Sequence, residues 1–179
     1  MNYQVLDQDG SKTILVDGVP QSTYPSPSGG YWKNMVPTRK VDSVLVLGVG
    51  GGTIPRMILK KNPKAKIVGV DNDPSIIKVG IDHLALGEIN MDLILKDIFE
   101  YVYEIKDKFD LIVVDLYSGG SFPYKCLSPK FINHLKGLLN KSGEIYINTP
   151  NLEYAVTLQL PTRKAVDTGG NIIYKYSIP

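Results

Sequence analysis

The sequence predicts an α/β fold: a doubly wound, Rossmann-like sheet with a small N-terminal β-hairpin appendage. Three observations predict it. From Ser43 onward, short β-rich runs alternate with segments of helical periodicity, the pattern of a parallel sheet covered by helices. The first run leads into a glycine-rich loop, Gly48-Val49-Gly50-Gly51-Gly52, and later runs end on acids, Asp71, Asp97 and Asp115. Ligands of such sheets bind beyond the carboxyl ends of the strands, where these residues fall.

The elements follow in order. Tyr3 to Leu6 and Thr13 to Val16 read as a hairpin about an Asp/Gly-rich turn, with a second Asp-Gly turn at Asp17-Gly18. Residues 24–30, YPSPSGG, show neither strand alternation nor a helical face and mark the boundary of the appendage, which takes residues 1–30 and leaves 31–179 to the main domain. Strands are expected at 43–48, 66–71, 93–97, 110–117 and 144–149. Ile77, Ile81 and Leu84 share one helical face, as do Phe131, Leu135, Leu138 and Leu139. Asp73-Pro74 and Ser128-Pro129 each set a capping side chain ahead of a proline suited to the first helical position. Residues 151–179 allow either a hairpin from YAVTLQL and NIIYKYSI or a short helix and one strand.

Composition bounds the function. A chain of 179 residues with 43% hydrophobic content fits one domain with a short appendage. Its net charge is +2 and its basic residues are scattered, so nucleic acid is not indicated as a partner, and the lysines at 60, 61, 64 and 66 read as a solvated face. One cysteine, Cys126, excludes an internal disulfide and reads as a buried thiol. His83 and His134 are too far apart in sequence for a local metal-ligand pair, so no metal is expected. No apolar run is long enough to span a bilayer, and the expectation is a soluble, cytoplasmic protein with no membrane partner.

The glycine loop lets a ligand approach the backbone while the following helix aims its N–H groups at it. A tight turn alone would need one glycine. Asp71 lies 23 positions after Gly48, close to the spacing at which an acid meets a nucleotide ribose, and Asp73 already serves as the cap. Asp97 fits a helix cap or a contact to an adenine amino group equally well. Asp115, flanked by apolar residues in mid-sheet, is costly to bury unless it faces a cleft or a partner. A dinucleotide motif would place glycine at position 53, where the chain has Thr53, and a phosphate-binding loop would end in Gly-Lys-Ser/Thr, which is missing.

The series VLVLGVGGGT, VGVDNDPSIIKVG, LILKDIFEYV and FDLIVVDLYSGGSFPYKCLSPKFINHLKGLL resembles the spermidine synthase (polyamine aminopropyltransferase) branch of the class I S-adenosylmethionine-dependent methyltransferase fold. ILVDGVPQS resembles the end of that family's N-terminal β domain, so the likeness covers roughly residues 13–150. The resemblance implies that Asp71, with Asn72 beside it, holds the ribose hydroxyls, that Asp97 and Ile98 read the adenine, and that Gln21 is a cofactor-side glutamine. It places Gly48, Gly50, Gly51 and Gly52 beneath the sulfonium side chain, and Asp115 and Tyr117 at the reaction centre with a small-molecule acceptor. It also implies a homodimer.

The chain departs from that pattern. Gly51 replaces the aspartate that grips the amino group of decarboxylated S-adenosylmethionine, and Ser118 and Gly120 stand where the family has the second acid that deprotonates the amine. A glycine loop without its aspartate leaves N–H groups for the carboxylate of intact S-adenosylmethionine, so methyl transfer is expected ahead of aminopropyl transfer or cofactor binding alone. The N-terminal region is shorter than the family's β domain, and Tyr24, Tyr31 and Trp32 are candidates for the substrate lid, with packing the stronger reading for Trp32. The Asp/Asn/Ser-Pro-Pro-Tyr/Phe signature of many amino-group methyltransferases is replaced by Asp115-Leu116-Tyr117-Ser118.

Overall fold

A computed structural model of the chain describes residues 1–27, 29–117, 120–150 and 164–177. It begins with a three-stranded antiparallel sheet, β1 (Tyr3–Gln8), β2 (Ser11–Val16) and β3 (Val19–Tyr24), in that order. Asp9-Gly10 and Asp17-Gly18 all have positive φ, as the turns of tight hairpins require. The third strand corrects the expected two-stranded hairpin. Pro20 argues against a strand in sequence, but β3 lies at a sheet edge and its register shifts by a bulge opposite Ile14 and Leu15.

The main sheet has seven strands: β4 (Ser43–Leu47), β5 (Lys66–Asp71), β6 (Asp92–Leu95), β7 (Phe109–Val114), β8 (Leu139–Thr149), β9 (Lys164–Asp167) and β10 (Ile172–Ser177). Their spatial order is β6-β5-β4-β7-β8-β10-β9. Strands β4 to β8 pair in parallel, while β10 runs antiparallel to both β8 and β9. The chain builds outward from β4 to β6 and then returns to β7 on the other side, so the switch point lies between the ends of β4 and β7. Of residues 151–179, those described hold the antiparallel pair β9 and β10; YAVTLQL lies outside the described residues.

Helices α1 (Thr53–Lys61), α2 (Pro74–Leu84), α3 (Ile98–Glu104) and α4 (Pro129–Gly137) cover the sheet. Strand alternation divides the core in two. Leu45, Leu47, Ile112 and Val114 pack with Val102, Phe131 and Leu135 beneath α3 and α4. Val44, Val46, Leu111 and Val113 pack with Ile54, Ile58 and Ile77 beneath α1 and α2, and Ile14 and Val16 of β2 join this second cluster. The small sheet therefore shares a core with the main domain.

Both proline-led helix starts are as expected: Asp73 accepts from the N–H groups of Ser75 and Ile76, and Ser128 from that of Phe131. The buried face of α2 is rotated from the expected one. Ile76, Ile77, Gly80 and Leu84 point inward, whereas Ile81 is 51% exposed. Gly80 sets that rotation, because a Cβ there would lie 3.1 Å from the Cα of Gly51.

Candidate functional site

The loop after β4 is fastened from three sides. The N–H of Gly48 donates to the Val70 carbonyl at 2.9 Å, and that of Gly52 to the Val49 carbonyl at 3.0 Å. Asp71 Oδ2 accepts from the N–H groups of Val49 (2.9 Å) and Gly50 (2.8 Å), and the N–H of Gly51 donates to Ser22 Oγ at 2.7 Å. The expectation that these N–H groups stand open to an anion is therefore corrected: each has an acceptor within the chain. Ser22, on β3, was not foreseen.

The glycines answer to packing. At Gly48, φ is +91° and a Cβ would lie 2.1 Å from the backbone oxygen of Asp115, so only glycine lets the ends of β4 and β7 meet here. At Gly51 a Cβ would lie 2.8 Å from Ile14 Cδ1 and Ser22 Cβ and 2.9 Å from Leu84 Cδ2. The space an aspartate would need is filled by the small sheet and α2. Thr53 completes the junction: its hydroxyl accepts from the N–H of Thr23 (2.8 Å) and donates to the Thr23 carbonyl (3.1 Å).

A cleft opens at the switch point. Gly48, Gly50, Asp71, Asp115, Tyr117 and Gln21 line it, together with Tyr31, Asp73 and the apolar Val16, Val49, Ile76 and Leu116. Among the described residues, no lysine or arginine lines it. Of the other sequence candidates, Gly51 and Gly52 lie behind the loop in core contacts, and Asn72 is exposed. Asp97 is exposed and caps α3 by accepting from the N–H groups of Phe99 and Glu100, with Ile98 buried beside it. None of these lines the cleft. Ser118 lies outside the described residues.

Asp115 sits at the floor of the cleft. Its Oδ1 accepts from Asn148 Nδ2 at 2.7 Å and its Oδ2 from the Tyr31 hydroxyl at 3.0 Å. Asn171 Nδ2 donates in turn to Asn148 Oδ1 (2.9 Å) and to Tyr117 Oη (3.1 Å). Burial pushes the Asp115 carboxyl up to about 6, against the opposing pull of the Asn148 and Tyr31 hydrogen bonds. The same burial, with Asp115 beside it, raises the Tyr31 hydroxyl well above its ordinary value. Asp71 is raised by burial despite the N–H groups of Gly50, Asp73 and Val49.

Of the three lid candidates only Tyr31 reaches the cleft. Trp32 packs against the core beneath α1 and α2, and Tyr24 lies under the Arg56 guanidinium at 4.6 Å from the ring centroid. Sequence reasoning missed Asn148, although it was legible in principle: a fully buried amide within the apolar run EIYINT requires partners. Asn171 and Ser22 carried no such signal. On the rim, the Tyr3 hydroxyl donates to Asp73 Oδ2 at 2.5 Å and is pushed up to about 12, by burial first and by Asp73 second. A second pocket adjoins the cleft through Gln21, Tyr31 and Tyr117, and Val19, Pro20 and Asn171 line it further out.

The cleft's chemistry fits an adenosyl sulfonium. Val49, Ile76 and Leu116 give apolar walls, Asp71 accepts one hydrogen bond at Oδ1 and so keeps a lone pair for a hydroxyl donor, and Asp115 supplies negative charge. Strand order, switch point and acidic cleft together define a class I α/β fold of the S-adenosylmethionine-dependent type. Residues 39–171 match the family described as a methyltransferase domain, and the chain belongs to that family.

Among curated proteins the chain is similar to the polyamine aminopropyltransferase of Hydrogenobaculum sp., at 25% identity over 178 residues, covering 93% of this chain and 62% of that protein. It is 33% identical over 111 residues to the polyamine aminopropyltransferase of Saccharolobus islandicus, covering 58% of this chain and 37% of that one. The chain thus spans between 37% and 62% of the length of these relatives. A spermidine synthase solved with the transition-state analogue AdoDATO superposes with a TM-score of 0.78 at 18% identity, over 98% of this chain and 69% of that one. Human methyltransferase-like protein 13, solved with SAH, gives 0.66 at 20% identity over 76% and 72%. The fold is spermidine synthase-like.

Proposed function

We propose that the chain binds S-adenosylmethionine in the cleft at the switch point and transfers its methyl group to a small acceptor in the adjoining pocket. One observation carries the preference for methyl transfer: the position from which the family's aspartate would grip an aminopropyl ammonium, Gly51, is walled off by Ile14, Ser22 and Leu84. When bound, the cofactor supplies a methyl group on a sulfonium, open to in-line attack. The chain's own part is placement and charge. Asp71 accepts hydroxyl donors at one end of the cleft, and Asp115, ionised above about pH 6, favours positive charge at the other. Asn148 and Tyr31 fix the Asp115 carboxylate, which is placed to take a proton from an acceptor on the Tyr117 side.

A second reading, aminopropyl transfer from decarboxylated S-adenosylmethionine, is favoured by a different observation. The cleft is lined by Asp71, Asp73 and Asp115 with no cationic side chain among the described residues, which suits a donor without a carboxylate. Incubation with each donor and a panel of amines, phenols and thiols, with products identified by mass, separates the two. Methylated product from the intact donor is expected. An aminopropyl adduct formed only from the decarboxylated donor supports the second reading, and the absence of any product overturns both.

A further inference from the structure

Basic residues that are scattered in the sequence are gathered by the fold. Lys33 lies in the 3-10 turn Tyr31–Met35, Lys60 and Lys61 close α1, and Lys64 and Lys66 lead into β5. All five are exposed. Three grooves meet among them. The first is lined by Ser26, Lys33, Met57, Lys60 and Lys61, the second by Tyr24, Arg56, Lys60 and Glu88, and the third by Lys40, Asp42, Lys61 and Lys64. Lys60 joins the first two, and Lys61 joins the first and third.

The charge there is uncompensated. Among the described residues none of these five lysines forms an ion pair with a carboxylate, whereas Lys40 pairs with Asp42 at 3.2 Å. Of the two acids that line the grooves, Asp42 is thus engaged and Glu88 remains. With a net charge of only +2 for the chain, five free lysines at one end leave the rest net acidic. The hydroxyl of Ser26, on the wall of the first groove, is buried without a partner.

We propose that this face binds the phosphate backbone of a single-stranded nucleic acid. Unpaired lysines along connected grooves are the arrangement that tracks a flexible polyanion, and the Arg56–Tyr24 stack in the second groove offers a plane for a base. A lipid surface fits less well, since an interfacial anchor needs exposed apolar side chains. Among the described residues the large exposed apolar ones are Met1, Leu6, Val19, Ile81, Leu95, Tyr103 and Tyr124, and none of them lines these grooves. Lys40, Lys64 and Lys66 lie by the amino-terminal ends of β4 and β5, and no residue that lines the cleft lines these grooves. The inference therefore stands apart from the transfer reading.

The test is fluorescence polarisation of the full chain with a labelled single-stranded oligonucleotide, titrated between about 50 and 200 mM salt. Lys60→Glu with Lys61→Glu is expected to weaken binding about tenfold or more at low salt and to flatten the salt slope by about 1.4, at roughly 0.7 per phosphate contact on a single strand. Lys33→Glu, in another element, is expected to act in the same direction. Lys78→Glu with Lys96→Glu alters net charge equally, at lysines paired with Asp82 and Glu104, and is expected to change little. Absence of binding at low salt overturns the proposal, as do equal losses in the two double variants or binding to anionic vesicles but not to the oligonucleotide.

Discussion

Gly51→Ala tests how firmly the small sheet is locked over the glycine loop. A Cβ there would lie 2.8 Å from Ile14 Cδ1 and Ser22 Cβ and 2.9 Å from Leu84 Cδ2, closer than real Cβ atoms approach. Gly51 is not among the residues with positive φ, so backbone strain adds nothing and the cost is overpacking, about 1–3 kcal/mol. For a chain of this size that corresponds to a fall in Tm of very roughly 2–12 °C. Ile14 Cδ1 is the one contact a conservative change removes, so Ile14→Val should relieve part of the clash. Urea denaturation followed by Trp32, the only tryptophan, measures both variants and their combination. The double variant should be more stable than the sum of the single losses predicts, by at least about 0.5 kcal/mol. Gly51→Ala within about 0.5 kcal/mol of the parent, with no coupling to Ile14, would refute the packing and return position 51 to the cleft.

Other predictions concern charge. The Asp115 carboxyl lies near 6 in the fold against roughly 4 in the unfolded chain, so the folded state holds this proton more tightly. The stability it contributes is present at low pH and is lost as pH rises towards and through about 6. Asp115→Asn lacks that loss, so its stability relative to the parent should improve by roughly 2 kcal/mol from about pH 4 to pH 7; parallel stability curves would contradict it. Asn148→Ala removes a donor from the carboxylate, and carboxyl NMR should find Asp115 titrating above about 6, with a cost of about 1–3 kcal/mol for the unpaired buried groups. Asp73→Ala should cost about 0.5–2 kcal/mol as α2 loses its cap, and an absorbance titration should find the Tyr3 phenol ionising below about 12.

What was legible in the sequence was local. Asp-Gly pairs fixed two turns, and Asp73-Pro74 and Ser128-Pro129 fixed two helix starts. What was not legible depends on contacts between distant segments. Pro20 disguised β3, because whether a strand tolerates proline depends on its place at an edge. Four glycines in one loop suggested an open cradle, but three of the bonds that hold it come from Asp71 and Ser22, 21 to 29 residues away in sequence. Asp115 was found because an acid in an apolar strand needs a reason. Its partners Tyr31 and Asn148, and Asn171 that bonds Asn148 in turn, come from three other parts of the chain that only the fold brings together.

The central claim is that the cleft between Asp71 and Asp115 holds an adenosyl sulfonium. Calorimetric titration of the purified chain with S-adenosylmethionine, decarboxylated S-adenosylmethionine, methylthioadenosine and NAD, repeated on Asp71→Asn, tests it most directly. Binding of S-adenosylmethionine, weakened in the variant and without binding of NAD, is the predicted result. Binding of NAD alone, or of none of the four, would contradict the account.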